Sequence, residues 1–100
     1  MLTVDASPDG STLTIKPAGR FDGKIYREFQ EAFSLQTKPT SHYAVDFGRT
    51  DYIDSSGLGM LLKLREYAGG DKTKVRLINC SPDIKKILTI AHFHTLLTVV

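Results

Sequence analysis

What this chain has little of narrows its function before any motif is read. Cysteine occurs once, at Cys80, so no internal disulfide can form and a reducing compartment is the expectation. Charge of one sign is not in excess: 13 basic residues stand against 11 acidic ones, a formal net charge of +2. The densest basic runs, Lys72-Lys74-Arg76 and Lys85-Lys86, are too sparse for a nucleic-acid footprint and read as solvated faces. No apolar run approaches the roughly 18 residues of a membrane span. The N-terminal MLTVDASPDG has no basic start followed by an apolar core, as a secretory signal would. Internal repeats and low-complexity segments are also lacking. These absences lead to the expectation of a soluble, cytoplasmic protein with no direct nucleic-acid role and no membrane span.

Catalytic signatures are equally scarce. A nucleophile elbow needs G-x-S-x-G, but Asp54 stands two before Ser56. Gly57 and Gly59 are followed by Met60-Leu61-Leu62, so the third glycine of a dinucleotide loop is missing, and no Walker sequence is present. His92 and His94 close a helix and His42 begins a strand, none with cysteine or acidic partners at ligand spacing. Asp46 and Asp51 have no nucleophile or base placed beside them. Cys80, at a strand end, reads as a small buried hydrophobe. The expectation is a protein that is not an enzyme and holds no cofactor and no metal.

What is there is enough for one domain, 1–100. A chain of 100 residues with 41% hydrophobic content buries a core without metal or disulfide help. Leu2 to Ala6 alternates, Pro8-Asp9-Gly10 interrupts, and Leu13 to Lys16 alternates again, which predicts an antiparallel hairpin. Gly19 to Gly23 is expected as a connector, with Asp22 capping a helix whose core stripe is Ile25, Phe29, Ala32 and Phe33. Thr37-Lys38-Pro39-Thr40 ends that helix, and His42 to Phe47 is the next strand. Val75 to Ile78 reads as a strand, Ser81-Pro82 as the cap and first turn of a third helix carrying Ile84, Ile87, Leu88 and Ala91, and Leu96 to Val100 as a short last strand. Strands alternating with helices predict an α/β fold: a mixed β-sheet of about five strands packed against amphipathic helices.

The stretch DYIDSSGLGMLLKLR, Asp51 to Arg65, is where the pattern becomes specific. It joins a strand to a helix beginning near Ser56, and Gly69-Gly70-Asp71 stops that helix. Asp54-Ser55-Ser56-Gly57 carries the oxygens that cap a helix start. Gly57 and Gly59 sit in the first turns at a cost of roughly 0.5 to 1 kcal/mol each relative to alanine, which asks for a close approach, either of helix to sheet or of a partner's backbone. Helical spacing puts Gly57, Met60, Leu61, Leu64, Tyr67 and Ala68 on the sheet-facing side. Leu58 and Leu62 flank that side, as core edge or as an exposed apolar strip. A serine here is open to two readings: a helix cap, or a phosphorylation switch at a helix N-terminus, where backbone N–H groups and the helix dipole stabilise added negative charge.

Taken together, Val45 to Phe47, then YIDSSGLGMLL from Tyr52 to Leu62, with Gly19-Arg20-Phe21-Asp22 before and Val75-Arg76-Leu77 after, resemble STAS domains. The likeness covers essentially the whole chain and is greatest to the bacterial anti-sigma factor antagonists. That resemblance implies Ser56 as a phosphoacceptor for an anti-sigma factor that is itself a serine kinase, with a metal-dependent serine phosphatase reversing the reaction. It implies Asp54 as the acidic residue that caps the helix and helps present the serine to the kinase, and Ser55, Gly57, Leu58 and Gly59 as the rest of the partner-binding surface, to which the apolar strip adds Leu62. Many such relatives continue beyond the position of Val100 into a further helix. Stand-alone STAS domains also resemble the small subunit bound constitutively to the ATPase of lipid-transporting ABC systems, where the same helix is a permanent interface and Ser56 only a cap.

Overall fold

The computed structural model describes residues 2–34, 40–70 and 74–100. Strands β1 (Leu2–Ala6) and β2 (Thr12–Phe21) form the expected antiparallel hairpin. One carboxylate organises its loop: Asp9 Oδ1 accepts from Ser7 Oγ at 2.7 Å, Ser11 Oγ at 2.8 Å and the Ser11 N–H at 3.0 Å. Gly10, at φ 76°, completes the reversal in a region where a side chain would be strained. The Ser11 N–H and then the two hydroxyls favour the ionised form, and hold the Asp9 carboxyl down to about 2 from 3.8.

The expected connector is corrected by the structure: Gly19, Arg20 and Phe21 belong to β2, which changes partner along its length. Its first half runs parallel to β3 (His42–Asp46) and its second half parallel to β4 (Arg49–Ile53). The register slips between Gly19, at φ 79°, and Arg20: their partners are Thr50 and Tyr52, so Asp51 is the extra residue of a bulge in β4. β4 makes the sheet six-stranded where about five strands were expected. Its sequence RTDYI buries only Thr50 and Ile53, so it lacks the alternation that marks a strand. Between β3 and β4 the chain jogs: Phe47 donates to Ile78 O at 3.0 Å, and Asp46 Oδ1 accepts from the Gly48 N–H at 2.8 Å. The buried hydroxyl of Thr50 returns to β2 by donating to Pro17 O at 2.9 Å.

Strand order is β1-β2-β3-β5-β6, with β4 beside β2 and β5 spanning Val75–Ile78. Every pairing except β1–β2 is parallel. Helices α1 (Tyr26–Ser34), α2 (Ser55–Tyr67) and α3 (Pro82–Ile90) make the crossovers. Because the crossovers advance in one direction along the sheet, their common handedness stacks all three helices on one face. Ile25, Phe29, Ala32 and Phe33 are buried in that layer as expected, with Met60, Leu61, Leu64, Ile84 and Leu88. Leu13 and Ile15 of β2 point into it, while Thr12, Thr14 and Lys16 point to the other face. Burying each large apolar side chain contributes about 1.5 to 3 kcal/mol.

Two further expectations change in detail. Tyr67, placed on the sheet-facing side by helical spacing, is 53% exposed. Its ring leans on Phe33 and Tyr43, at 5.0 and 6.5 Å between centroids. The last strand, β6, is only Thr98–Val99. Gly69 and Gly70, at φ 96° and 77°, end α2, with the Gly70 N–H returning to Arg65 O at 2.8 Å. The helix stop expected at residues 37–39, and Asp71 and Lys72, lie outside the described residues. Ser81 caps α3 through the Ile84 N–H at 3.2 Å, with Pro82 in first position. Among the described residues no helix is long and apolar enough to cross a membrane.

Candidate functional site

The parallel strands deliver three helix N-termini to one edge of the sheet. β2 ends at Phe21 and Asp22 caps the 3-10 turn Gly23–Ile25, β4 ends at Ile53 and Asp54 caps α2, and β5 leads to the Ser81 cap. The carboxyl ends of parallel strands are where open α/β sheets place their sites. Two of these loops meet: a Cβ on Gly23 would stand 3.6 Å from Ser56 Oγ.

Asp54 is the cap of α2. Its Oδ1 accepts from the Gly57 N–H at 2.9 Å, its backbone is extended at φ −103°, and its own N–H donates to Phe21 O at 3.4 Å. Ser55 and Ser56 are therefore the first two helical residues, and neither hydroxyl is committed to capping; both residues are exposed. The helix starts one residue earlier than the sequence pattern suggested, because the carboxylate of Asp54 takes the cap.

Gly57 shows why a glycine stands in the first turn. A Cβ there would lie 2.2 Å from Phe21 O, 2.8 Å from the Phe21 ring and 3.0 Å from Ile53. The helix start is pressed onto the end of β2, and Phe21 cannot yield, since its ring packs edge-on against Phe29 at 5.0 Å and Phe47 at 5.4 Å. Gly59 is different: nothing lies within 4 Å of its Cβ position. Close approach of helix to sheet explains Gly57 and does not explain Gly59.

The two flanking leucines divide the alternatives left open by the sequence. Leu58 packs half-buried against the core, and Leu62 is 39% exposed. The next turn of that side carries Arg65, whose Nε donates to Leu96 O at 3.2 Å and ties α2 to the C-terminal segment. Beside the serines, Arg20 lies 4.7 Å over the Tyr52 ring and 3.5 Å from Asp22 Oδ2, while Asp22 Oδ1 accepts from the Lys24 N–H at 3.0 Å. The Asp22–Gly23 loop and this Arg20–Tyr52 pair were not read as part of the site. The signal was available in outline, since two strands that both end in an aspartate cap are brought to the same sheet edge by parallel pairing.

The sites set aside in the sequence gain no support. Among the described residues no group of three His, Cys, Asp or Glu side chains could hold a metal ion. The rings of His92 and His94 lie 6.1 Å apart, and His92 occupies a left-handed backbone position at φ 62°. Cys80 is half-buried, and burial pushes its thiol above its ordinary value, away from the reactive thiolate.

A family model described as Mlab, STAS domain, matches residues 3–98. The chain belongs to the STAS domain family. A STAS-domain containing protein of Pseudomonas aeruginosa is 42% identical over 98 residues, covering 98% of this chain and 97% of that one. Among solved structures, an anti-sigma factor antagonist from Mycobacterium paratuberculosis superposes with a TM-score of 0.79 at 13% identity, over 99% of this chain and 83% of that one. The anti-sigma factor antagonist SpoIIAA in its unphosphorylated form superposes at 0.69 and 18% identity, over 100% and 87%. The phosphorylated form of SpoIIAA, a Bacillus cell fate determinant, gives 0.63 at 18% identity, over 100% and 91%. At these identities the likeness is one of fold, and this STAS domain shares its mixed sheet and one-sided helical layer with the anti-sigma factor antagonists.

Proposed function

We propose that this STAS domain is an anti-sigma factor antagonist: unphosphorylated, it binds an anti-sigma factor serine kinase and releases a sigma factor, and phosphate on Ser56 ends that binding. The observation that carries the reading is the division of labour at the start of α2. Asp54 alone caps the helix, which leaves Ser56 exposed with a hydroxyl not needed by the fold. A phosphate there adds nearly two negative charges where the helix dipole tolerates them, so the domain stays folded while its surface becomes strongly negative beside Asp54, Leu58 and Leu62. Ser55, Gly57 and Gly59 complete the surface. Gly57 acts by letting the helix sit against β2, and Gly59 leaves open space that a partner's backbone can enter. The solved neighbours include one such antagonist in both phosphorylated and unphosphorylated forms, which supports the same cycle here, with a metal-dependent phosphatase restoring the serine. In this reading the domain spans 1–100, works in the cytoplasm and has no catalytic activity of its own.

The test is a comparison of wild type, Ser56→Ala and Ser56→Asp as tagged baits in the native cell, with co-purifying proteins quantified. Wild type and Ser56→Ala should retain a protein with serine-kinase activity toward wild type, and Ser56→Asp should lose most of it. Equal retention by Ser56→Asp would show that charge is not the switch.

A second reading is a constitutively bound accessory subunit of the ATPase of a lipid-transporting ABC system. It keeps the same STAS assignment, with the start of α2 as a permanent interface and Ser56 only a surface residue. An ATPase retained equally by all three baits is its expected result.

A further inference from the structure

The sheet is wider than the helical layer that covers it. Leu2, Val4 and Ala6 of β1 stand opposite Pro17, Ile15 and Leu13, all buried on the core face, and paired residues point to the same face. Yet Val4 is 38% exposed and Ala6 is exposed as well. The helical layer covers β1 only in part: Leu2 packs half-buried against the core, while Val4 and Ala6 are left at the rim.

The backbone of that row also points outward. The Ser7 N–H donates to Thr12 O, which makes Ser7 and Thr12 a hydrogen-bonded pair. Hydrogen-bonded and non-bonded pairs alternate along an antiparallel ladder, so Asp5–Thr14 and Thr3–Lys16 are bonded pairs, while Ala6–Leu13, Val4–Ile15 and Leu2–Pro17 are not. Pro17, which has no N–H to give, falls at a non-bonded position, in agreement. The N–H and C=O groups of Leu2, Val4 and Ala6 are therefore the free edge of the sheet. Its protection is slight: β1 carries one charge, Asp5, and has no proline, no lysine and no bulge.

We infer that this edge pairs antiparallel with β1 of a second copy, about a two-fold axis at Val4. The sequence LTVDA complements itself in that register. Val4 meets Val4 of the second copy and Leu2 meets its Ala6, so the apolar rows at the rim join and the outward main-chain groups satisfy one another. On the opposite face, Asp5 meets the Thr3 hydroxyl of the second copy instead of its Asp5. Lys16, which holds Asp5 at 2.8 Å within its own chain, stands in the same row as Asp5 of the second copy. The charges across the seam thus alternate in sign. A seam of one strand pair is at the small end of stable interfaces, so the association is weak and concentration-dependent.

Sedimentation equilibrium on the purified chain, from about 10 µM to about 1 mM, spans that weak range. The weight-average mass should climb from 11.1 kDa toward twice that value. Val4→Pro removes an outward N–H without touching the β1–β2 ladder and should raise the dimer dissociation constant by about tenfold or more with an unchanged circular dichroism spectrum. Val4→Lys, which sets like charges face to face with the backbone intact, should do the same and serves if the proline variant misfolds. A wild type that stays at 11.1 kDa throughout overturns the inference, as does a folded Val4 variant that dimerises as well as wild type.

Discussion

Two glycines in one turn differ in what a side chain would meet. At Gly57 a methyl group would collide with Phe21 O at 2.2 Å, a backbone atom fixed in the sheet. Gly57→Ala should therefore destabilise the fold by about 2 to 4 kcal/mol, measured as a drop in the urea midpoint. At Gly59 a methyl group meets nothing within 4 Å, so Gly59→Ala should stabilise the domain by about 0.5 to 1 kcal/mol through helix propensity alone. If the Gly59 space receives a partner, the same variant binds it less well, and the pairing of higher stability with weaker capture is the sign to look for. Asp54→Ala removes the cap on the Gly57 N–H and should cost about 1 kcal/mol. Asp54→Ser, still able to cap, should recover most of that in the same urea series.

Among the elements, the ones with a clean period were legible in the sequence and the ones set by a change of partner were not. The β1–β2 hairpin, the Asp22 and Ser81 caps, the α1 core stripe and the strand Val75–Ile78 follow from alternation, helical spacing and capping chemistry. β4 did not, because its pairing with β2 depends on the bulge at Asp51 and on the jog at Phe47–Gly48, neither of which has a period. At the site, the Asp54 cap was legible from residue type and position, whereas Ser56 was singled out by the family resemblance. The Gly23 loop was not, since only the parallel pairing of β2 with β4 brings it within reach of Ser56. The hairpin loop yields a prediction of its own. Asp9 titrates at about 2 when folded against 3.8 otherwise, so its contribution to stability is complete above pH 3.8 and is lost as pH falls toward 2. In an NMR titration the Asp9 carboxyl should have its midpoint near 2, and Asp9→Asn should make the acid limb of the unfolding curve less steep. A midpoint at 3.8 would show that the Ser7 and Ser11 donors do not hold it.

For the molecule as a whole, the account joins a rigid core to a surface that can change charge. The core runs unbroken beneath α2 through Phe21, Ile53, Met60, Leu61 and Leu64, so the start of the helix is fixed, and under the proposed function a phosphate on Ser56 would change what a partner meets without altering the fold. Ser56→Asp should accordingly unfold within about 0.5 kcal/mol of wild type in urea, as surface substitutions near a helix N-terminus do. The most direct measurement is site-resolved mass spectrometry of the protein purified from its own cells, growing and stressed, covering Tyr52 to Lys63. The account predicts phosphate on Ser56, not Ser55, with an occupancy that differs between the two conditions. A Ser56 that carries no phosphate in either condition would contradict it, and would leave the helix as the permanent interface of a constitutive subunit.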